Sequence, residues 1–314
     1  MFDLLSPYAL AVNIRNWLYD RGFIKTCKLP VLVISVGNLS VGGSGKSSLV
    51  RYIGKLFEER LHVCILSRGY RRKTKGTLLV SERGDIKVDW EDCGDEPYML
   101  ARLLPRASLV VDEDRCRGAL FALHRLKPDL IILDDAFQHR RIHRDLNILL
   151  LKKGDFSERL LPFGRLREPL NSMERADVIV LSYAELEDFQ WQHTKKPTLR
   201  MVRENWRVVR YFDGKCLEDF KNLSFVAFAG LGDNKQFFQT LQRLGIKTKE
   251  KLSFPDHYPY KSFELKEEEV YITTLKDAIK LKPAKNLYYL DFDVRVDGLE
   301  EILYNVVGKI KGLW

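Results

Sequence analysis

The chain has 314 residues, 45% hydrophobic and 30% charged, enough for two packed domains with a well-solvated surface. A formal net charge of +9 favours anionic partners: lipid headgroups, phosphorylated substrates or nucleic acid. No run of 18 apolar residues occurs, which excludes a single-helix membrane span. Five cysteines without C-x-x-C spacing argue against structural zinc and a disulfide framework, so a reducing compartment is expected.

The first stretch, "MFDLLSPYALAVNIRNWLYDRGF", has no basic segment ahead of its apolar residues, and Ser6-Pro7 interrupts them, so it makes a poor signal peptide. From Pro7 onward, Leu10, Ala11, Ile14, Trp17 and Leu18 fall on one helical stripe. Such a stripe either docks on its own domain or lies in a membrane interface. Tyr8, Trp17 and Tyr19, with Arg15, Arg21 and Lys25, suit the interfacial reading.

Short apolar runs then alternate with helical patterns. Strands are expected in 29–37, 62–70, 107–115, 128–135, 146–153 and 176–183, with helices over 46–60 and 115–126 between them. Residues 77–90 read as a hairpin turning at Arg83-Gly84-Asp85. Continuous apolar strands alternating with helices predict a mostly parallel sheet covered on both faces. After about residue 200 the texture changes. A hairpin over 206–217 turns at Asp213-Gly214, a second strand–helix unit begins near 223, a late strand covers 286–296, and an amphipathic helix covers 299–314. The expected organisation is an N-terminal helix region (1–28), a main domain (29–205), a hairpin linker (206–217), a smaller α/β domain (218–298) and a C-terminal helix (299–314).

The chemistry concentrates after the first strand, in "GNLSVGGSGKSS" (37–48). Gly42, Gly43 and Gly45 let successive backbone N–H groups turn inward as an anion nest. The helix that follows points its positive end at the same place. Lys46 adds a mobile cation for β and γ oxygens, and Ser47 offers a hydroxyl to Mg2+. Ser40 stands where the usual pattern has glycine, but the nest lies downstream of it. Asn38, Ser44 and Ser48 complete the expected nucleotide contacts. This makes the fold class α/β of the P-loop NTPase type, with a smaller C-terminal α/β domain joined by the hairpin. Asp134 and Asp135 close the strand "LIILDD", at the carboxyl edge where ligands bind in open α/β sheets; one or both can serve the metal. "DNKQF" (233–237) lacks the acid that would read guanine, so ATP is expected.

Taken together, "GNLSVGGSGKSS", "ILSRGYRRK" (65–73), "GDEP" (94–97), "LDDAFQHRR" (133–141), "LLPFGRLREP" (160–169), "FPDHYPY" (254–260) and "ITTLKDAIKL" (272–281) resemble the tetraacyldisaccharide 4'-kinases, the lipid A 4'-kinases, in motif order. Arg165 stands where that family typically has proline. The resemblance implies transfer of the γ-phosphoryl of ATP to the 4'-hydroxyl of an acylated glucosamine disaccharide 1-phosphate, giving lipid IVA at the cytoplasmic face of the inner membrane. It further implies a base dyad of Asp95 and His257. Read alone, Asp95 is a turn acid before Pro97 and His257 an aromatic-packed histidine. Arg167 and Arg115 are candidate phosphate clamps; Arg68, Tyr70, Gln138 and His139 are further substrate or phosphate candidates. The alternative is another P-loop ATPase, or an ATP-dependent ligase, with a non-lipid acceptor. No nucleic-acid motif is present, so nucleic acid is not an expected partner.

Overall fold

In the computed structural model, which describes residues 6–186 and 194–308, the chain starts with helix α1 (Pro7–Asp20). Ser6 caps it by accepting from the Ala9 N–H at 3.1 Å, and Pro7 occupies the first turn, where no N–H is needed. The apolar stripe read from the sequence does not turn inward. Ala9, Val12 and Asn16 form the buried face, whereas Leu10, Ile14 and Trp17 face outward.

The first half continues as β1 (Leu32–Asn38), α2 (Lys46–Phe57), β2 (Val63–Ser67), β3 (Leu78–Glu82), β4 (Asp85–Ile86), α3 (Trp90–Cys93), α4 (Asp95–Leu103), β5 (Ser108–Val111), α5 (Arg115–Arg125), β6 (Leu130–Asp134), β7 (Leu146–Leu151) and β8 (Val178–Leu181). The second half holds β9 (Thr198–Arg210), β10 (Ser224–Ala229), α6 (Asn234–Arg243), β11 (Lys247–Ser253), β12 (Tyr271–Thr274), α7 (Leu275–Ala278), β13 (Leu287–Val296) and α8 (Leu299–Val307). The strands lie in the order β11-β10-β12-β13-β9-β8-β7-β1-β6-β2-β5-β3-β4. From β8 to β5 all pairs are parallel, and their strands are buried throughout apart from a half-buried Leu32 at the start of β1, as helices on both faces require. The β3–β4 hairpin at Arg83-Gly84 adds an antiparallel edge.

Leu49, Val50, Ile53 and Phe57 recur at helical spacing and join Ile34, Val36 and Ile132 in the main apolar cluster. Each such side chain removed from water contributes about 1.5–3 kcal/mol, which seats the start of α2 firmly over the carboxyl ends of β1 and β6. Leu299, Leu303 and Val307 of α8 enter the same cluster, so the chain's last described helix returns to the first half. Phe57 meets Tyr304 edge-on at 5.6 Å. Residues 309–314 of the expected terminal helix lie outside the described residues.

Two expectations are corrected. The hairpin over 206–217 does turn at Asp213-Gly214, where Gly214 N–H donates to the Arg210 carbonyl, but its second arm is a single bridge from Cys216 to Val209. Its first arm is the end of the 13-residue β9, which pairs in parallel with β8 and then antiparallel with β13. Long-range pairing with β13 offers far more partners than the local return does. The second correction concerns cysteine. Cys27 and Cys116 form a disulfide, with Cα atoms 6.2 Å apart at a sequence separation of 89. Spacing rules cannot see a pair that only the fold brings together: Cys27 bridges to Ile142, and Cys116 sits in the first turn of α5. Cys64 and Cys93 are buried thiols, and Cys216 is exposed. No helix among the described residues is long and apolar enough to cross a membrane.

Candidate active site

The loop after β1 is built as an anion cradle. Gly42 and Gly45 take φ of 97° and 81°, the left-handed region that a side chain disfavours. Lys46 opens α2 and reaches back, donating to Asn38 Oδ1 at 3.1 Å and Ser44 Oγ at 3.4 Å. Asn38 in turn donates to the Ser40 carbonyl at 2.7 Å. Ser40 is buried in the turn, and its side chain is not part of the cradle. Ser47 and Ser48 line a cavity of about 210 Å³.

β6 lies beside β1 with Val36 opposite Asp134, so both aspartates arrive at the mouth of the loop. Their environments diverge. Asp134 is buried; burial above all, with the charges of Glu96 and Asp135, pushes its carboxyl well above the usual carboxylate range. Ser67 donates to its Oδ2 at 3.0 Å, while Oδ1 has no partner. Asp135 turns outward at a left-handed φ of 47°, a conformation aspartate tolerates better than most residues. Burial would raise it, but Lys46, at 3.8 Å, and Arg167 hold it well below the normal range. Arg167 grips it with both nitrogens, at 2.7 and 3.1 Å, and also donates to the Asn38 carbonyl at 3.1 Å.

Asp95 stands at the start of α4, directly after Gly94. The φ of 95° at Gly94, with the Tyr70 carbonyl 2.9 Å from where a Cβ would sit, leaves no place for a side chain. Asp95 is buried, and its Oδ2 accepts from His257 Nδ1 at 2.7 Å across 162 positions of sequence. Lys280 lies 3.2 Å and Lys276 4.0 Å from the same oxygen. Burial alone would raise this carboxyl. The bond from His257 and the charges of Lys276, His257 and Lys280 instead hold it far below its ordinary value. His257 adopts a left-handed φ of 62° and meets the Tyr70 ring edge-on at 5.5 Å.

The remaining candidates spread out. Arg115 is buried, donating to the Asp112 and Asp134 carbonyls at 3.0 and 3.3 Å, so its guanidinium braces strand ends. Burial lowers His139 to about 4; it is neutral at pH 7, and its Nε2 accepts the Arg115 backbone N–H at 3.3 Å. Gln138 donates to the Asn38 carbonyl at 2.8 Å. Arg68 and Tyr70 are exposed at the rim.

Sequence reasoning missed Lys276 and Lys280, which the α7 segment brings to Asp95. It missed Glu96, 3.6 Å from Lys276. It also missed the aromatic wall of the cavity beside Ser47, where Trp206 and Phe292 lie 4.7 Å apart with Arg203 over both. Lysines four positions apart, on and just past a short helix, and aromatics on two strands remote in sequence do not by themselves mark a site.

A parallel sheet whose first strand runs through a glycine cradle with lysine into a helix, beside a strand ending in two aspartates, defines a P-loop nucleotide-dependent phosphotransferase. The family model for tetraacyldisaccharide-1-P 4'-kinase matches residues 3–308. A tetraacyldisaccharide 4'-kinase of Aquifex aeolicus (strain VF5) is 54% identical over 95% of this chain and 96% of its own length. The protein of that name from Chlorobaculum tepidum is 40% identical over 82% of this chain and 78% of its own. A crystal structure of LpxK from Aquifex aeolicus, described as an "apo" form in complex with ATP, superposes with a TM-score of 0.90 at 53% identity, covering 98% of this chain and 97% of that one. The chain belongs to the tetraacyldisaccharide-1-P 4'-kinase family, enzymes that transfer a phosphoryl group to a hydroxyl.

Proposed function

We propose that this chain transfers the γ-phosphoryl of ATP to the 4'-hydroxyl of an acylated glucosamine disaccharide 1-phosphate, with Asp95 receiving the hydroxyl proton. The observation that supports this reading is the 2.7 Å bond between Asp95 and His257, which joins two halves of the chain beside the phosphate cradle. An ionised Asp95 can accept and orient a hydroxyl. The His257 Nδ1–H, with Lys276 and Lys280, keeps the carboxylate charged until the proton arrives. A weakly basic carboxylate suffices when bond breaking to the leaving group runs ahead of proton loss, as in a loose phosphoryl-transfer transition state.

Gly42, Gly43, Ser44 and Gly45 cradle the phosphates, and Lys46 swings between its Asn38 partner and the transferred group. Arg167, already near Lys46 through Asp135, neutralises the charge that develops there. The donor set fits a hard divalent cation: Asp134 carries a buried carboxylate oxygen without a partner, Asp135 follows it in the chain, and Ser47 offers a hydroxyl at the start of α2. Mg2+ bound there would draw charge from the phosphate oxygens. The cavity of about 210 Å³ beside Ser47, walled by Trp206, Phe292 and Arg203, suits a flat heteroaromatic base. Asp95 belongs to the first half of the chain and His257 to the second, so any shift of one half against the other opens or closes the dyad.

The enzyme also sits on a membrane surface, at the cytoplasmic face of the inner membrane. Leu10, Ile14 and Trp17 are half exposed or more along one helix face, Phe23 is 68% exposed, and Arg21 flanks the ring of Trp17. An acylated acceptor stays in the bilayer, so its kinase must reach it there. Incubation with γ-labelled ATP, Mg2+ and the disaccharide 1-phosphate in detergent micelles tests the activity. Labelled lipid is expected, and hydrolysis of ATP without labelled lipid overturns the reading.

A further inference from the structure

Helix α1 is fastened to the dipeptide Arg167-Glu168, whose first member braces Asp135 and Asn38 at the phosphate cradle. Glu168 is fully buried, and its carboxylate accepts from Arg15 Nη2 and from Asn16 Nδ2 (3.3 Å), both on α1, and from Arg175 Nη2. Its neighbour Arg167 accepts, through its carbonyl, the Tyr8 hydroxyl of α1 at 2.9 Å. The Arg167 side chain then points the other way, to Asp135 and Asn38, and Asn38 is the partner of Lys46. One dipeptide therefore has α1 on one side and the phosphate machinery on the other. Glu168 is shared between Arg15 and Asn16 of α1 and Arg175, so parting α1 from it strips a buried carboxylate of one of its two cationic partners, which is destabilising. A displacement of α1 accordingly pulls on Glu168 and, through the Tyr8 bond, on the Arg167 backbone.

We propose that seating of α1 on a lipid surface is read out at the nucleotide site through this link, with Arg15, Tyr8 and Glu168 as positioning residues. The inference rests on the membrane-surface reading above. Holding α1 against the membrane fixes the Arg167–Glu168 peptide and pre-orders the Arg167 guanidinium, so nucleotide binding loses less freedom. By linkage the effect is reciprocal: bound nucleotide tightens membrane association by the same factor.

The test measures the affinity of the full chain for a non-hydrolysable Mg·ATP analogue, with and without vesicles of phosphatidylethanolamine and phosphatidylglycerol, alongside vesicle co-sedimentation. The wild-type protein is expected to bind the nucleotide on the order of five-fold tighter on vesicles, a typical coupling between sites. The double variant Tyr8→Phe, Arg15→Gln is expected to sediment with vesicles yet give a ratio near unity. Trp17→Ala, on the exposed stripe, should weaken sedimentation and leave the lipid-free nucleotide affinity unchanged. A ratio of unity for vesicle-bound wild type overturns the inference and spares the membrane reading. An unchanged ratio in the double variant, even with lower affinity in both conditions, shows a merely structural link and also overturns it. Failure of the wild type to sediment with vesicles removes the membrane reading and this inference together.

Discussion

The phosphate cradle and the Asp95–His257 pair are built in opposite ways. The cradle is local: Asn38 to Ser48 lie on one strand–loop–helix unit, and its second acid arrives on the adjacent strand. The pair is remote, with partners 162 positions apart that meet only when the second half of the sheet lies beside the first. Local construction lets the phosphate cradle form from the first half alone, whatever the second half does. Remote construction makes the proposed proton acceptor depend on how the two halves meet. Binding and chemistry should therefore separate under mutation.

Lys46→Ala gives the largest expected loss, about a thousand-fold or more in kcat, because it removes the cation that follows charge onto the transferred group. Asp95→Asn should lower kcat by roughly 10²–10⁴-fold while leaving the KM for ATP within about two-fold, since the proposed role sets this group at the acceptor and not at the nucleotide. His257→Ala should behave likewise with a smaller loss, because Lys276 and Lys280 still hold Asp95 charged. An equal loss of ATP affinity in either variant would erase the distinction between the two regions.

Smaller effects sharpen it. Gly94→Ala forces a side chain into the left-handed region against the Tyr70 carbonyl and should cost about 1–3 kcal/mol, read by denaturant titration. If the helix start shifts instead, kcat falls with little change in stability. The smallest effect concerns acid. His139 is lowered to about 4, so the unfolded chain binds its proton first as pH falls from about 6.5. Its contribution to stability is therefore present near neutral pH and above and is lost as pH falls from about 6.5 towards 4. His139→Asn should flatten that part of the stability curve, measured by thermal melts, without altering proton acceptance at Asp95.

The cradle was legible in the sequence because glycine spacing, a lysine and a helix start encode geometry within a dozen residues. The alternation of buried strands and helices was legible for the same reason. β11, "KTKEKLS", was not, because its charged alternation is that of a protected sheet edge. Asp95 and His257 could be named only through resemblance to a family; nothing local separates them from a turn acid and a packed imidazole. Lys276, Lys280 and Glu168 were missed altogether, since each acts through a partner supplied by another element.

The sequence alone determined the phosphate-binding unit, the parallel sheet and, through the ordered motifs, the family. Tertiary structure alone decided that the apolar stripe of α1 faces outward, that Cys27 joins Cys116, and that Asp134 and Asp135 sit in unlike electrostatic surroundings. The physical reason is range. Backbone conformation and helix or strand periodicity are set by near neighbours, whereas burial, charge pairing and cross-linking depend on groups that chain folding alone brings within a few ångströms.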